Sequence, residues 1–328
     1  MYPFAAIGHE DEMVFFVAFV AFVFFVSSWF LGRRDYNRYL AKRQYGVSTH
    51  LFHNQRLSRD HLLEIAAHGF ELVEVFATRS HFDYHNPAAV ADLQQWLAEA
   101  GLELRSIHAP IAERFTGGRW SGTLSIASVD ADARARAVGE AERALHIARR
   151  IAVPVLVAHL GIPRSQLRDP EIGAQDTRAA ARRSVEELMR LAQPLGVQIA
   201  VEVLPNELSR AGSLVHFVED DVKVDDLGAD AGICLDFGHA HIDGDVVDAI
   251  ETVSEHLIAT HVHDNGGRSD DHLLPFDGTI DWPSALTAVQ KIGYDGPFIL
   301  ELNARGSTKE MLARARQARQ RMEQFLAA

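Results

Sequence analysis

From Gly46 onward, short runs of β-branched and apolar residues alternate with longer amphipathic stretches. The runs are VSTHLF (47–52), ELVEVF (71–76), LELRSIH (102–108), PVLVAH (154–159), VQIAVEV (197–203), AGICLD (231–236), LIATHVH (257–263) and PFILELN (297–303). Short, largely apolar runs are what strands of a helix-covered parallel sheet show. Most of the stretches between them carry helix signals. Asn86-Pro87 predicts an N-cap followed by the first helical residue, and Gly101 a stop; Asp281-Trp282-Pro283 starts another helix and Gly293 ends it. Residues 129–152, rich in Ala, Arg and Glu, predict a long surface helix. Eight strands alternating with helices over residues 46–328 predict an α/β fold of the (β/α)8 barrel type, whose usual size is about 250 residues. An open doubly wound sheet is the competing topology. Against it, VSTHLFHNQR has no glycine where a phosphate-binding loop would follow the first strand.

In a (β/α)8 barrel the active site lies at the C-terminal ends of the strands. Six consecutive predicted strands each place a chemically active side chain near that end: His108, His159, Glu202, Asp236, His261 and Glu301. One histidine at a strand end is ordinarily a hydrogen-bonded structural residue. Six imidazoles and carboxylates in one layer would be costly to gather without a cation. A divalent metal removes that cost, and mixed His/carboxylate ligation suits zinc, manganese, cobalt or iron better than calcium. Two loops add candidates. LDFGHAH supplies His239 three residues after Asp236, and THVHDNGGRSDDHLLPFDG (260–278) supplies Asp270 and His272. RSHFDYH (79–85) follows the second strand and is a candidate for the pocket mouth. Arg79, Arg119 and Arg268 stand in loops that could meet a phosphate.

Residues 1–45 break the pattern. Positions 13–31, MVFFVAFVAFVFFVSSWFL, hold nineteen residues without a charge, enough to cross a hydrocarbon core. Acidic residues precede them and no small-residue cleavage site follows, which argues against a signal peptide. Arg33, Arg34, Arg38, Lys42 and Arg43 come next, so a membrane anchor here would leave the barrel on the cytoplasmic side. Translated upstream sequence, with the start near residue 46, and a long buried helix are the other readings. The expected division is thus a hydrophobic leader over 1–45 and a barrel over 46–328.

The net charge of −13, or −14 for residues 46–328 alone, argues mildly against a nucleic-acid partner. A single cysteine, Cys234, excludes an intrachain disulfide and fits a reducing, cytoplasmic compartment.

The stretches VEV around Glu202, GICLDFGHAH (232–241), HVHDN (261–265), DDHLLPFDG (270–278) and ILELN (299–303) resemble the xylose-isomerase-like TIM-barrel superfamily. That superfamily includes sugar isomerases and epimerases as well as endonuclease IV. The resemblance covers about residues 46–328, and it is more specific for the superfamily than for the reaction. On the epimerase branch it implies one divalent ion (Mn, Co, Mg or Zn) held by Glu202, Asp236, His261 and Glu301. Glu202 and Glu301 would then be the catalytic pair, moving a proton through an enediolate. His239, His108, Asp270 and His272 would touch a sugar or sugar phosphate, with no nucleic-acid partner. On the endonuclease IV branch it implies a trinuclear zinc phosphodiesterase in which His108, His159, His239, Asp270 and His272 are further ligands. Departures weigh against that second branch. Phe237-Gly238 stands where the nuclease pattern has Thr-Cys, HDNGGRS is short and carries Arg268 in place of a lysine, and Phe276-Asp277-Gly278 replaces Gly-Glu-Gly. A non-catalytic binding barrel is the third reading.

Overall fold

All eight expected strands form, and they close into one parallel barrel. The structure, a computed structural model, describes residues 43–162, 174–222 and 231–327. In chain order the strands are β1 (Tyr45–Ser48), β2 (Leu72–Phe76), β3 (Glu103–His108), β4 (Ala112–Thr116), β5 (Arg119–Thr123), β6 (Val155–His159), β7 (Gln198–Glu202), β8 (Gly232–Asp236), β9 (Leu257–Val262) and β10 (Phe298–Leu300). The barrel runs β1-β10-β9-β8-β7-β6-β3-β2, every neighbour parallel, while β4 and β5 form a separate antiparallel hairpin. The apolar run at 13–31 lies outside the described residues. Among the described residues no helix is long and apolar enough to cross a membrane.

The barrel unit begins at Arg43. Arg43 donates to the carbonyls of Tyr294 and Gly296, and Tyr45 is fully buried in β1, so the barrel unit takes in residues slightly before Gly46. The first run was expected to be extended through Phe52, but β1 stops at Ser48. There Ser48 Oγ accepts from His50 N at 3.3 Å and caps a 3-10 turn over Thr49–Phe52. The turn swings His50 and His53 over the barrel mouth. Helix ends follow local chemistry. Asn86 accepts from Ala88 N at 3.0 Å to start the helix Pro87–Ala100, and Gly101 ends it at φ 66°. Asp130 caps Ala131–Leu145 through Ala133 N at 2.7 Å, shorter than the expected 129–152 because the chain tightens into a 3-10 turn at His146–Arg149.

Inside the barrel the side chains stack in layers, as strand alternation requires. Val155, Val157, Ala200, Cys234 and Ala259 form a small buried cluster apart from the main core. By the two-residue period of a strand, Val157, Ala200, Cys234 and Ala259 share a face with His159, Glu202, Asp236 and His261 respectively. Glu74 and Ser106 share a face with Phe76 and His108 in the same way. The chemistry therefore stands one layer above a floor of small side chains.

Candidate active site

Four ligand-type groups meet at the C-terminal end of the barrel. Glu202 ends β7, Asp236 ends β8, His261 is in β9, and Glu301 follows β10. In the ladders Glu202 pairs with His159 and Asp236 with His261, so neighbouring strands bring these groups level. One ligand atom from each of Glu202, Asp236, His261 and Glu301 lies within 4.8 Å of the others. His261 Nδ1 stands 3.4 Å from Glu202 Oε1, 3.8 Å from Asp236 Oδ2 and 3.4 Å from Glu301 Oε2. None of the four is more than 3% exposed.

His261 Nδ1 and both carboxylate oxygens of Glu202 have no hydrogen-bond partner, although they are buried. Unsatisfied buried polar atoms of this kind cost several kcal/mol in total, at roughly 1–3 kcal/mol each. A divalent cation among three carboxylates and one imidazole satisfies them, so the residues fit such an ion. Charge alone meets part of the need. Burial pushes the Glu202 carboxyl up, but the neighbouring imidazoles of His159, His261 and His108 bring it well below the ordinary carboxylate range. Burial likewise opposes the His261 imidazolium, yet the anionic surroundings, Glu74, Glu301 and Glu202 among them, raise its pKa well above the ordinary value. An ion in the site takes over that proton's role.

Further histidines surround this set, and their ring orientations are determined by what holds the far nitrogen. His108 donates Nδ1–H to Ala109 O at 2.8 Å and turns Nε2 to Glu202 Oε2 at 3.3 Å. His159 Nε2 reaches the same oxygen at 3.1 Å. His239 Nδ1 lies 3.1 Å from Val203 O and 3.3 Å from Glu202 Oε1. Its Nε2 meets Asp270 Oδ2 at 3.2 Å, and His272 Nε2 meets that oxygen at 3.0 Å. His272 Nδ1 points at Glu301 O, 3.1 Å away. Burial disfavours the His272 imidazolium, but Asp270 and Glu301 raise its pKa to about 9. All nine residues expected for either branch therefore converge in one cluster, and seven of them, all but Asp236 and His261, line one cavity.

Two residues of the candidate site escaped the sequence reading. Glu74 in β2 accepts from His261 Nε2 at 3.0 Å and from Ser106 Oγ at 2.7 Å. A charged residue in the middle of the apolar run LVEVF was the available signal. His263 is fully buried, with Nε2 3.0 Å from either oxygen of Asp236. It lies two residues from His261 on the same strand face, which the alternation in HVH could have shown. Its ring occupies the space a Cβ on Gly238 would need, only 1.9 Å from His263 Cε1. That explains the glycine in DFGH.

The aspartates of the 260–278 stretch separate by role. Asp264 organises the loop, accepting from Asn265 N, Ile280 N, Phe276 N and Trp282 Nε1 at 2.8–3.2 Å. Asp271 and Asp277 make exposed pairs with Arg305 and Arg314. Only Asp270 turns to the site. The loop holds His272 at φ 46° and Phe276 at φ 75°, left-handed conformations that non-glycine residues adopt at a cost, as is common near functional sites.

A cavity of about 140 Å³, open to solvent at its mouth, lies over the ligand set. Its floor includes Glu202, His239, Asp270 and Glu301, and its upper wall is Phe76, Trp120 and Leu124. Trp120 belongs to the β4–β5 hairpin, which the sequence reading missed. TGGR carried the signal, since Gly117 and Gly118 take φ 58° and 75° as a tight two-residue hairpin turn requires. The hairpin is moored by Phe115 N donating to Ser80 Oγ at 2.9 Å and by His53, whose ring lies 5.4 Å from Trp120 and 4.6 Å from Phe115. The RSHFDYH segment does not line the cavity. His81 is buried with Nδ1 donating to Gln55 O at 2.7 Å, and His85 pairs with Glu140 at 2.8 Å. Arg79, Arg119 and Arg268 do not line it either.

The sequence of residues 62–327 matches the model of the xylose isomerase-like TIM barrel. The chain belongs to that family. An uncharacterized protein of Methanocaldococcus jannaschii, MJ1311, is 26% identical over 280 residues, covering 81% of this chain and 85% of that one. Among solved structures, a D-tagatose 3-epimerase-like protein superposes with a TM-score of 0.69 at 23% identity, over 87% of this chain and 98% of its own. The IOLI protein with a bound zinc atom superposes with a TM-score of 0.65 at 17% identity, over 87% and 98%. At these identities the structural likeness is one of fold.

Proposed function

We propose that this family member is a divalent-metal-dependent isomerase or epimerase of a small sugar or sugar derivative. The observation that carries the reading is the buried Glu202–Asp236–His261–Glu301 set, whose partnerless polar atoms lie at the base of a cavity lined by Glu202 and Glu301. The epimerase-like and zinc-bearing fold neighbours support it. Those four residues would hold the ion, which would supply Lewis-acid polarisation of a substrate carbonyl.

The remaining chemistry falls to the chain's own groups. Epimerisation or isomerisation next to a carbonyl needs a base to take the α-proton and an acid to return one. Glu202 and Glu301 supply the pair. The two oxygens of Glu202 face different partners: Oε1 toward His261 and His239, Oε2 toward His108 and His159. The surrounding imidazoles hold Glu202 ionised, as a base must be. His239, Asp270 and His272 line the cavity beside the four-residue set and bind substrate oxygens, while Trp120 and Phe76 cover the carbon skeleton.

The test is solvent exchange. The full chain with Mn²⁺ is incubated in D₂O with D-tagatose, D-fructose and a panel of pentuloses, and deuterium at carbon is followed by NMR. Incorporation supports the reading, and its absence across the panel opposes it. The convergence of His108, His159, His239, Asp270 and His272 also favours a second reading, a trinuclear zinc phosphodiesterase. Elemental analysis separates the two. About one exchangeable ion per chain fits the isomerase, whereas about three zinc ions with cleavage of an abasic-site oligonucleotide fits the phosphodiesterase.

A further inference from the structure

We infer that Glu74 is the positioning residue that makes His261 a metal ligand through Nδ1; the inference rests on the metal reading above. His108 and His272 each turn Nε2 into the cavity, because a backbone carbonyl, Ala109 O or Glu301 O, occupies Nδ1. His261 is reversed. Its Nδ1 faces the three carboxylates, and its Nε2 is bound by Glu74 Oε2 at 3.0 Å. Glu74 is itself held by Ser106 Oγ at 2.7 Å, so the chain of hydrogen bonds runs from β3 to β2 and across the lumen to β9.

Two properties distinguish this carboxylate from the carbonyls that orient the other histidines. It carries a charge, so it makes the imidazole more basic and a stronger ligand, the usual effect of a carboxylate behind a metal-bound histidine. It is also fully buried, level in the ladders with Ser106 and Val155 and one side chain below Phe76 on the inner face. A carboxylate there is expensive as mere structure, and apolar replacement of buried charges is often neutral or stabilising. Its second oxygen, Oε1, has no partner at all, so packing and hydrogen bonding alone do not account for it. The cost is met when His261 bears positive charge, whether from a proton or from an ion on Nδ1. Glu74 thereby fixes the ring rotation and reserves Nε2 for the proton.

The test uses the full chain and two readouts. Mn²⁺ affinity is measured by competition with a fluorescent chelator for the unmodified protein and for Glu74→Gln, Glu74→Ala and Ser106→Ala. Glu74→Gln is expected to weaken Mn²⁺ binding about 10- to 100-fold. Ser106→Ala should weaken it less, and the EDTA-treated proteins should melt within a few degrees of the unmodified chain. Unchanged affinity in both Glu74 variants overturns the inference. The second readout needs no metal. A slowly exchanging downfield imidazole N–H signal, assigned by its loss in His261→Gln, is expected in the unmodified chain and should vanish in Glu74→Ala. If the chain holds no Mn²⁺, the metal reading falls, and ligation of an ion by His261 falls with it. The N–H signal then decides separately whether Glu74 orients the ring, and its absence from the unmodified chain overturns that as well.

Discussion

At the base of the cavity, Glu202, Asp236 and His261 on three adjacent parallel strands, and Glu301 just after a fourth, are almost wholly buried. At its roof, Trp120 is 39% exposed, on a strand, β5, whose residues are all exposed. The floor is held by ladder hydrogen bonds on both sides of each strand and by a layer of side chains beneath. The roof is held by one hairpin turn, one hydrogen bond to Ser80 and a few aromatic contacts. Groups that move protons need positions accurate to fractions of an ångström, which the barrel provides. Groups that cover a substrate must admit and release it, which suits an element of low local stability. On the proposed function, floor and roof divide catalysis from selection, and substitutions in the two regions should then separate in kinetics.

The largest effect is expected on the floor. Glu202→Gln keeps the shape of the side chain but removes the base, and is expected to lower solvent-deuterium incorporation at the substrate carbon by about 10³-fold or more. Retention of most exchange in a folded variant would remove Glu202 from proton transfer.

Burial acts differently on histidines in the two surroundings. His272 faces Asp270 and is held protonated, while His81 is buried against a carbonyl and its pKa falls to about 4. His81 therefore stays neutral in the folded chain at pH values where an unfolded chain, near 6.5, binds a proton. Its contribution is present above pH 6.5 and is lost as pH falls from about 6.5 through about 4, by up to about 3 kcal/mol. Urea unfolding across that window should show the loss, and His81→Asn should reduce it. An identical pH profile in the variant would assign the acid sensitivity to other groups.

Gly238→Ala places a methyl where His263 lies and is expected to cost about 1–3 kcal/mol by overpacking. It should also loosen Asp236, so Mn²⁺ affinity should fall together with the melting temperature. A stable variant with unchanged affinity would show that His263 is not needed to hold Asp236.

The smallest effect belongs to the roof. Trp120→Ala is expected to raise KM about 10-fold, near 1.4 kcal/mol, with kcat within a factor of two or three, and Trp120→Phe should recover most of the loss. A fall in kcat with unchanged KM would end the division between floor and roof.

The barrel was legible in the chain because its determinants are local and repetitive. Eight apolar runs, the Asn86 and Asp281 caps and the glycine stops each report on a few neighbouring residues, and closure of the sheet follows from their number. The candidate ligands were legible too, since residues at strand ends of such a fold must face one another. The hairpin was readable in TGGR but looked like one more loop between β3 and a helix. Glu74 and His263 were harder. Each is a polar residue within a strand, and one-dimensional pattern cannot say what lies across a lumen.

The sequence by itself thus determined the fold class and named Glu202, Asp236, His261 and Glu301 as the candidate set that the barrel gathers. The tertiary structure alone decided which nitrogen of each histidine faces the cavity and what roofs it. The physical reason is that strand period and capping act between near neighbours. Ring orientation and partner choice depend on groups such as Glu74 and His261, 187 residues apart in the chain, which only closure of the barrel brings to 3.0 Å.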